Sequence, residues 1–281
     1  MSISESTPFV HQSQVDATEA VTLLDYLGVK TVISRRRIKD GIAKGAVWVK
    51  RGKGQFRRIY RSSYLLKSSD HVAFYYDEHV LNRQKGRAWC VVDLTQYSVW
   101  FKPFGFSTDG DEYSDHNAMS SYMTRYFRPS REMHVVHKLD KDIGGITIFA
   151  HSNSAASKLS LLFARHKVQE HYRVQVQGNM LTYQAKGVID TEIEGKTAQT
   201  VFECIAFDEE SNTTIVLARR TSQRPQQLQM HFKALGFPVV SHSGPGDDDL
   251  EYQILLIRLI FDCPILKKEV DFQLDEKHYV F

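Results

Sequence analysis

The stretch His137-Lys138-Leu139-Asp140-Lys141-Asp142-Ile143-Gly144-Gly145 sets a carboxylate among cations just before the apolar run Ile146 to Ala150. In an extended chain Lys138 and Asp140 project to one side and Leu139 to the other. A cation so placed favours an ionised Asp, and an ionised Asp can act as a nucleophile or a proton acceptor. An Asp beside a Lys in a turn is ordinarily a solvated pair, so the flanking segments must decide whether this one does chemistry. No nucleotide loop, metal cluster or cofactor motif is visible in the chain, and no cofactor is expected. His134 and His137 lie three apart, but in a segment that reads as strand and turn, where no helical metal pair forms. His151, His166 and His171 read as surface or core residues, and Gly246-Asp247-Asp248-Asp249 as an exposed acidic loop.

The chain that must position these groups has 281 residues, 42% of them hydrophobic, enough for one large domain and one small one. Cys90, Cys204 and Cys263 form no Cys-x-x-Cys pair, as expected of a reducing cytoplasm and of a chain without a zinc ribbon. Residues 1–14 lack a basic segment followed by an apolar one. The most apolar stretch, Ile254 to Leu266, is broken by Arg258, Asp262 and Pro264, short of the roughly 20 residues that span a bilayer. The expectation is a soluble cytoplasmic monomer with no membrane partner.

The net charge of +3 is unevenly spread. Between Thr31 and Asp70 stand twelve basic residues against two acidic ones, a local +10 that leaves −7 for the rest. Such a patch is the footprint of a polyanion-binding module. Ser34 can cap a helix running to about Lys44, with Ile38 and Ile42 on its buried side and Arg35, Arg36 and Lys39 at its exposed start. Gly45 ends it, Ala46 to Lys50 alternates like a strand, Arg51 to Gly54 is a turn, and a further strand begins near Ala73. From Val21 to Tyr76 this order resembles the S-four RNA-binding domain. A DNA-binding helix-turn-helix fits less well, because strands follow the basic helix. Arg35, Arg36, Lys39, Lys50, Arg51 and Lys53 are the RNA contacts this resemblance implies.

Residues 77–87 read as a linker and residues 1–20 as a tail. Beyond them, strands are expected at Val91 to Asp93 and Ser98 to Phe101, helices near Asn117 to Phe127, Ser154 to His166 and Gln226 to Leu235, and mostly strands from Glu170 to Leu217. Few helices among many strands argue for an α+β fold. Within 88–281, several landmarks fall in order: Lys102-Pro103-x-Gly105, the His137 to Ala150 signature, Val168 to Gly178 with Tyr172, Arg224 to Pro238, and Leu259 to Pro264. Together they resemble RluA-type RNA pseudouridine synthases. That family's fold is a mainly antiparallel central sheet flanked by helices, often preceded by an S-four module.

The resemblance implies an isomerase that detaches uracil from its ribose within structured RNA, rotates it and rejoins it through carbon 5, with ribosomal RNA ahead of transfer RNA. Asp140 would be the essential carboxylate. Tyr172 would stack on a flipped-out uracil and help remove its carbon-5 proton, while Lys138 and Leu228 would contact the substrate. The chain also departs from the family pattern. Ile143 and Gly144 replace a Thr-Ser pair, Gln226 replaces a histidine, and Gln229 stands where the arginine paired with the catalytic Asp is usual. A glutamine donates hydrogen bonds but no charge, so Lys138 or Lys141 would have to supply the cation. Otherwise the chain is a pseudoenzyme that binds or remodels structured RNA.

Overall fold

A computed structural model describes residues 8–16, 21–82, 86–110, 113–116, 118–243, 250–279 and 281. The acidic loop Asp247 to Asp249 and most of the 1–20 tail lie outside the described residues. The chain divides into two compact units, residues 1–85 with 109–122, and residues 86–108 with 123–281.

In the first unit, β1 (Phe9–Gln14), α1 (Leu23–Lys30), α2 (Arg35–Ala43), β2 (Val47–Lys50), β3 (Arg57–Arg58), β4 (His71–Tyr76) and α3 (Glu78–Asn82) follow in order. The strands make an antiparallel sheet, β1-β4-β2-β3. Thr22 and Ser34 cap the two longer helices by accepting from the Asp25 and Arg37 amides, which satisfies donors at the helix starts. Leu23, Leu27, Ile38, Ile42, Val47 and Phe74 close a core of their own. Two of these elements differ from the sequence reading. Residues 9–14, read as tail, pair with β4, and α3 falls inside the expected linker. Residues 109–122, read as part of the larger domain, cluster with this unit. The Asp115 amide donates to the Lys44 carbonyl at 3.3 Å, and its carboxylate accepts from the hydroxyls of Tyr60 and Ser121.

The second unit contains β5 (Trp89–Asp93) and β6 (Tyr97–Lys102). After α4 (Met119–Tyr126) it continues with β7 (His134–Val135), β8 (Gly144–Ala150), α5 (Asn153–Ala164) and β9 (Gln169–Gln177). Then come β10 (Lys186–Asp190), β11 (Gln199–Asp208), β12 (Thr213–Arg220), α6 (Gln227–Ala234), the short pair β13 (Ser241–Ser243) and β14 (Leu250–Tyr252), β15 (Ile254–Cys263) and β16 (Lys268–Gln273). Its main sheet runs β10-β11-β12-β9-β15-β8-β6-β5, with β16 on β15 and β7 on β8. The fold is α+β, and β15 against β8 is the parallel pair in an otherwise antiparallel sheet.

That parallel pair explains the glycines after Asp140. Gly145 has φ +128°, and a Cβ there would fall 2.4 Å from the Leu256 carbonyl oxygen, so only glycine lets β15 approach β8 so closely. At Gly144 a Cβ would meet the Phe104 ring at 3.0 Å and Leu255 at 3.1 Å. The bulky Phe104 in the Lys-Pro-x-Gly loop and the missing side chain at 144 are two sides of one packing arrangement. A serine at this position would require the Phe104 ring or Leu255 to give way by a few tenths of an ångström.

Candidate active site

Asp140 sits on an exposed loop between β7 and β8, with Leu139 buried behind it and Lys138 and Lys141 exposed on either side. This is the alternation that an extended chain produces. Two buried side chains hold the loop from below. Thr108 accepts from the Leu139 amide at 3.2 Å and donates to the Leu139 carbonyl at 3.0 Å. Lys102 is fully buried, and its ammonium donates to the Phe106 carbonyl at 2.7 Å and, at 3.4 Å, to the carbonyls of Pro103 and Lys141. The Gly105 amide reaches the same Lys141 carbonyl at 2.8 Å. The Lys102-Pro103-x-Gly105 loop is therefore a cradle for the residue after Asp140, because a buried ammonium must find acceptors and here they are backbone carbonyls. Burial, with Asp140 nearby, raises the pKa of Asp142.

The sheet supplies the second half of the site. Along β9, Glu170, Tyr172, Val174 and Val176 share the buried face. Ala218 of β12 pairs with Tyr172 and Arg219 with His171, which brings Arg220 alongside Glu170. Arg220 Nη2 donates to Glu170 Oε2 at 2.9 Å and to the Tyr172 hydroxyl, and its guanidinium carbon lies 4.9 Å from the centre of the Tyr172 ring. Burial, with the negative charge of Glu170 nearby, pushes the Tyr172 pKa far up despite the opposing guanidinium, so the group is a neutral phenol. For Arg220 burial works against the charge, but Tyr172, Glu170 and Asp140 outweigh it and hold the pKa above its usual value.

The helix α6 completes the arrangement. Gln227 and His231 are one turn apart and both grip Thr200 of β11. Gln227 Nε2 donates to its hydroxyl at 3.0 Å, while His231 Nδ1 contacts it at 2.9 Å. Leu228 is buried in the same core as Leu139 and Tyr172. Gln229 Nε2 is buried without a hydrogen-bond partner among the described residues. No group of three or more potential metal ligands occurs among the described residues.

A model of the RNA pseudouridylate synthase family matches residues 96–234, from β6 to the end of α6. An uncharacterized RNA pseudouridine synthase of Aquifex aeolicus is 28% identical over 146 residues, 47% of this chain and 46% of that one. Ribosomal large subunit pseudouridine synthase C of Vibrio cholerae is 24% identical over 63% of this chain and 54% of its own length. The dual-specificity RNA pseudouridine synthase RluA of Escherichia coli O6:H1 is 26% identical over 60% of this chain and 74% of its own. The match spans about half the length of the first two. Human RNA pseudouridylate synthase domain containing 1 shares the fold, with a TM-score of 0.57 at 17% identity over 69% of this chain and 86% of that one.

The structure sets Tyr172 against the part-buried guanidinium of Arg220, buries Leu228 in the same core as Tyr172, and leaves Asp140 and Lys138 exposed. Sequence reasoning missed Arg220, Glu170 and Thr108. A signal for the first two existed: with period two, Arg220 shares a face with Val216 and Ala218, and Glu170 with Tyr172 and Val174. A charge on a face otherwise apolar is seldom idle.

In the first unit, Ser34 and the polar face of α2 line an open groove of about 1100 Å³ together with Tyr76 and Leu81. Arg35 pairs with Asp25 at 2.7 Å and Arg37 with Glu78 at 2.9 Å. Arg51 is bound through two nitrogens to the buried carboxylate of Asp70, while Lys50 lies over the Phe56 ring. Arg36, Lys39 and Lys53 form no ion pair among the described residues and are exposed.

Proposed function

We propose that this protein is an RNA pseudouridine synthase acting on structured RNA. The observation that supports the reading is that, in the segment matching the RNA pseudouridylate synthase family, Asp140 stands exposed on its clasped loop while the Tyr172 hydroxyl on β9 is held by Arg220. The target uridine leaves its stack, since its reacting atoms are otherwise shielded. Asp140 acts on the ribose or the base while the N1 glycosidic bond breaks. The uracil turns, carbon 5 bonds to the ribose, the carbon-5 proton departs and N1 gains one. The reaction needs neither oxidant nor energy source.

Tyr172 enters this scheme as a neutral phenol beside the base, and Leu228 as an apolar wall. The first unit supplies affinity as an S-four-like module: Arg36, Lys39 and Lys53 offer charge to phosphates, with Arg35, Lys50 and Arg51 as partly committed neighbours. Ribosomal RNA is the first substrate to test, because a relative carries a ribosomal large subunit name. The unpartnered amide of Gln229 favours a second reading, a pseudoenzyme that binds structured RNA without converting it.

RNA labelled with tritium at uracil carbon 5 separates the two. The protein should release tritium from a cellular RNA pool, and Asp140→Ala should not. RNA binding without release from any pool would overturn the enzymatic reading in favour of the second.

A further inference from the structure

Leu23, Leu27, Ile38 and Ile42 of α1 and α2 share a core with Val47, Val49, Val72 and Phe74 of the β1-β4-β2-β3 sheet. The other face of that sheet carries the residues in between. Along β2 these are Trp48 and Lys50, alternating with the buried valines. Along the neighbouring strand Arg58 pairs with Trp48 and Ile59 packs into the core, so Phe56, Arg58 and Tyr60 line the same outer face.

The two rows interlock as rings and cations. The Arg58 guanidinium carbon lies 4.3 Å from the centre of the Trp48 ring, and the Lys50 ammonium 5.8 Å from that of Phe56. Arg58 donates to the Gly45 carbonyl, the Ile59 amide donates to the Val47 carbonyl at 2.9 Å, and the Tyr60 hydroxyl donates to Asp115. That carboxylate also accepts from Ser121. Residues 109–122 take part of the face, Tyr113 meeting Tyr75 of β4 edge-on. Phe56 and Tyr60, at the β3 edge of the sheet, remain 44% and 47% exposed. Single exposed rings are ordinary on a protein surface, but a row of them with cations set between is not.

A ring held in water beside a fixed cation suits a ligand that is itself a flat ring carrying an anion, and a nucleotide is that ligand. The base must be unpaired, because a duplex stacks its bases on one another and hides their faces. Twelve basic residues against two acidic ones between Thr31 and Asp70 supply the complementary charge. We propose that the β2–β3 edge is a stacking platform for an unpaired stretch of RNA, with bases on the Phe56 and Tyr60 rings beside the Trp48–Arg58 pair and Lys50 turned to the phosphates. The inference deepens the RNA-binding reading above and rests on it. It places the bases on the sheet face opposite the helices, apart from the phosphate contacts of Arg36 and Lys39 on α2.

The test compares two RNAs on the full chain by fluorescence anisotropy: a labelled oligouridine and a blunt, fully paired RNA duplex of the same length. Phe56→Leu/Tyr60→Leu should weaken oligouridine binding about 5- to 150-fold for each base that loses its ring. It should leave the salt slope unchanged, because no charge is removed, and leave duplex affinity unchanged. Phe56→Trp should keep the oligouridine affinity. Lys50→Ala should instead flatten the oligouridine salt slope by about 0.7 for each phosphate it no longer neutralises. A measurement on the wild-type chain stands apart from the folding of any variant: irradiated oligouridine carrying 5-iodouridine should crosslink to Phe56, Tyr60 or Trp48, read by mass spectrometry of the peptides. Unchanged oligouridine affinity in the double variant, an equal loss for both RNAs, crosslinks confined to α2, or a wild-type chain that binds neither RNA would each overturn the platform. Tritium release by a chain whose oligouridine affinity ignores the rings would retain the enzymatic reading and remove this one. Ring-dependent binding without tritium release would do the reverse.

Discussion

Thr108 and Leu139 exchange two hydrogen bonds, the threonine hydroxyl accepting from the leucine amide at 3.2 Å and donating to its carbonyl at 3.0 Å. Both residues are buried, and the next residue is Asp140. The position of the candidate nucleophile is therefore fixed through its neighbour's backbone, by a side chain from a distant loop. A hydroxyl that serves as donor and acceptor at once is hard to replace.

Thr108→Val keeps the shape and removes both bonds. It should cost about 1–3 kcal/mol, because two buried backbone groups lose their partner. Thermal unfolding reads that loss. Tritium release should fall by more than tenfold while RNA affinity holds, since a small displacement of a reacting group is costly. Unchanged release in a destabilised variant would show that the loop keeps its geometry without this clasp.

His137 opens the signature but behaves as a core residue. Its ring stacks on Phe163 with centroids 4.2 Å apart and planes 11° apart. Both ring nitrogens are shut off from solvent although the residue as a whole is only part-buried. Burial pushes its pKa down to about 4. An unfolded histidine titrates near 6.5, so on acidification from about 6.5 the unfolded chain takes up a proton that the folded one refuses until about pH 4. Stability should fall across that window by up to about 1.4 kcal/mol per pH unit. In His137→Phe this component of the slope should vanish in urea titrations at a series of pH values.

Arg51 and Asp70 make a fork of 3.0 and 2.9 Å with the carboxylate buried. The Arg51 hydrogen bonds hold the Asp70 carboxyl below the usual range, burial opposing them. Its contribution is complete above the unfolded value near 3.9 and fades as pH falls through the lower folded value. Arg51→Ala should lower the Tm, whereas Arg36→Ala should leave it unchanged.

Arg36 and Lys39 carry charge on α2 that no ion pair consumes among the described residues. Replacing both with Ala should weaken binding to structured RNA and flatten its salt dependence, by about 0.7 to 0.9 in log–log slope for each phosphate that α2 no longer neutralises. A filter-binding series over salt concentration measures this. An unaltered slope would place the RNA on another face.

Much of the architecture was legible because local chemistry encodes it. Ser34 announced its own helix by capping it, Ile38 and Ile42 repeated at helical spacing, and the apolar run after Gly145 could only be a buried strand. The glycines after Asp140 could be seen but not explained from sequence. Their reason is β15, whose backbone passes over them from more than a hundred residues further along. The allegiance of residues 109–122 was likewise invisible, since it depends on Asp115 meeting Lys44, Tyr60 and Ser121.

The sequence by itself determined the likeness to RNA pseudouridine synthases, the α+β class, the concentration of positive charge near the N-terminus, and Asp140 and Tyr172 as the residues to watch. These rest on residue order and short-range periodicity, which survive in one dimension. Only the tertiary structure decided what surrounds Tyr172. A guanidinium acts through distance and desolvation, and β12 brings Arg220 against Tyr172 and Glu170 only when the sheet is assembled. The glutamine at position 229 is a fact of the sequence, and the ion pair of Arg220 with Glu170 beside Tyr172 is a fact of the fold.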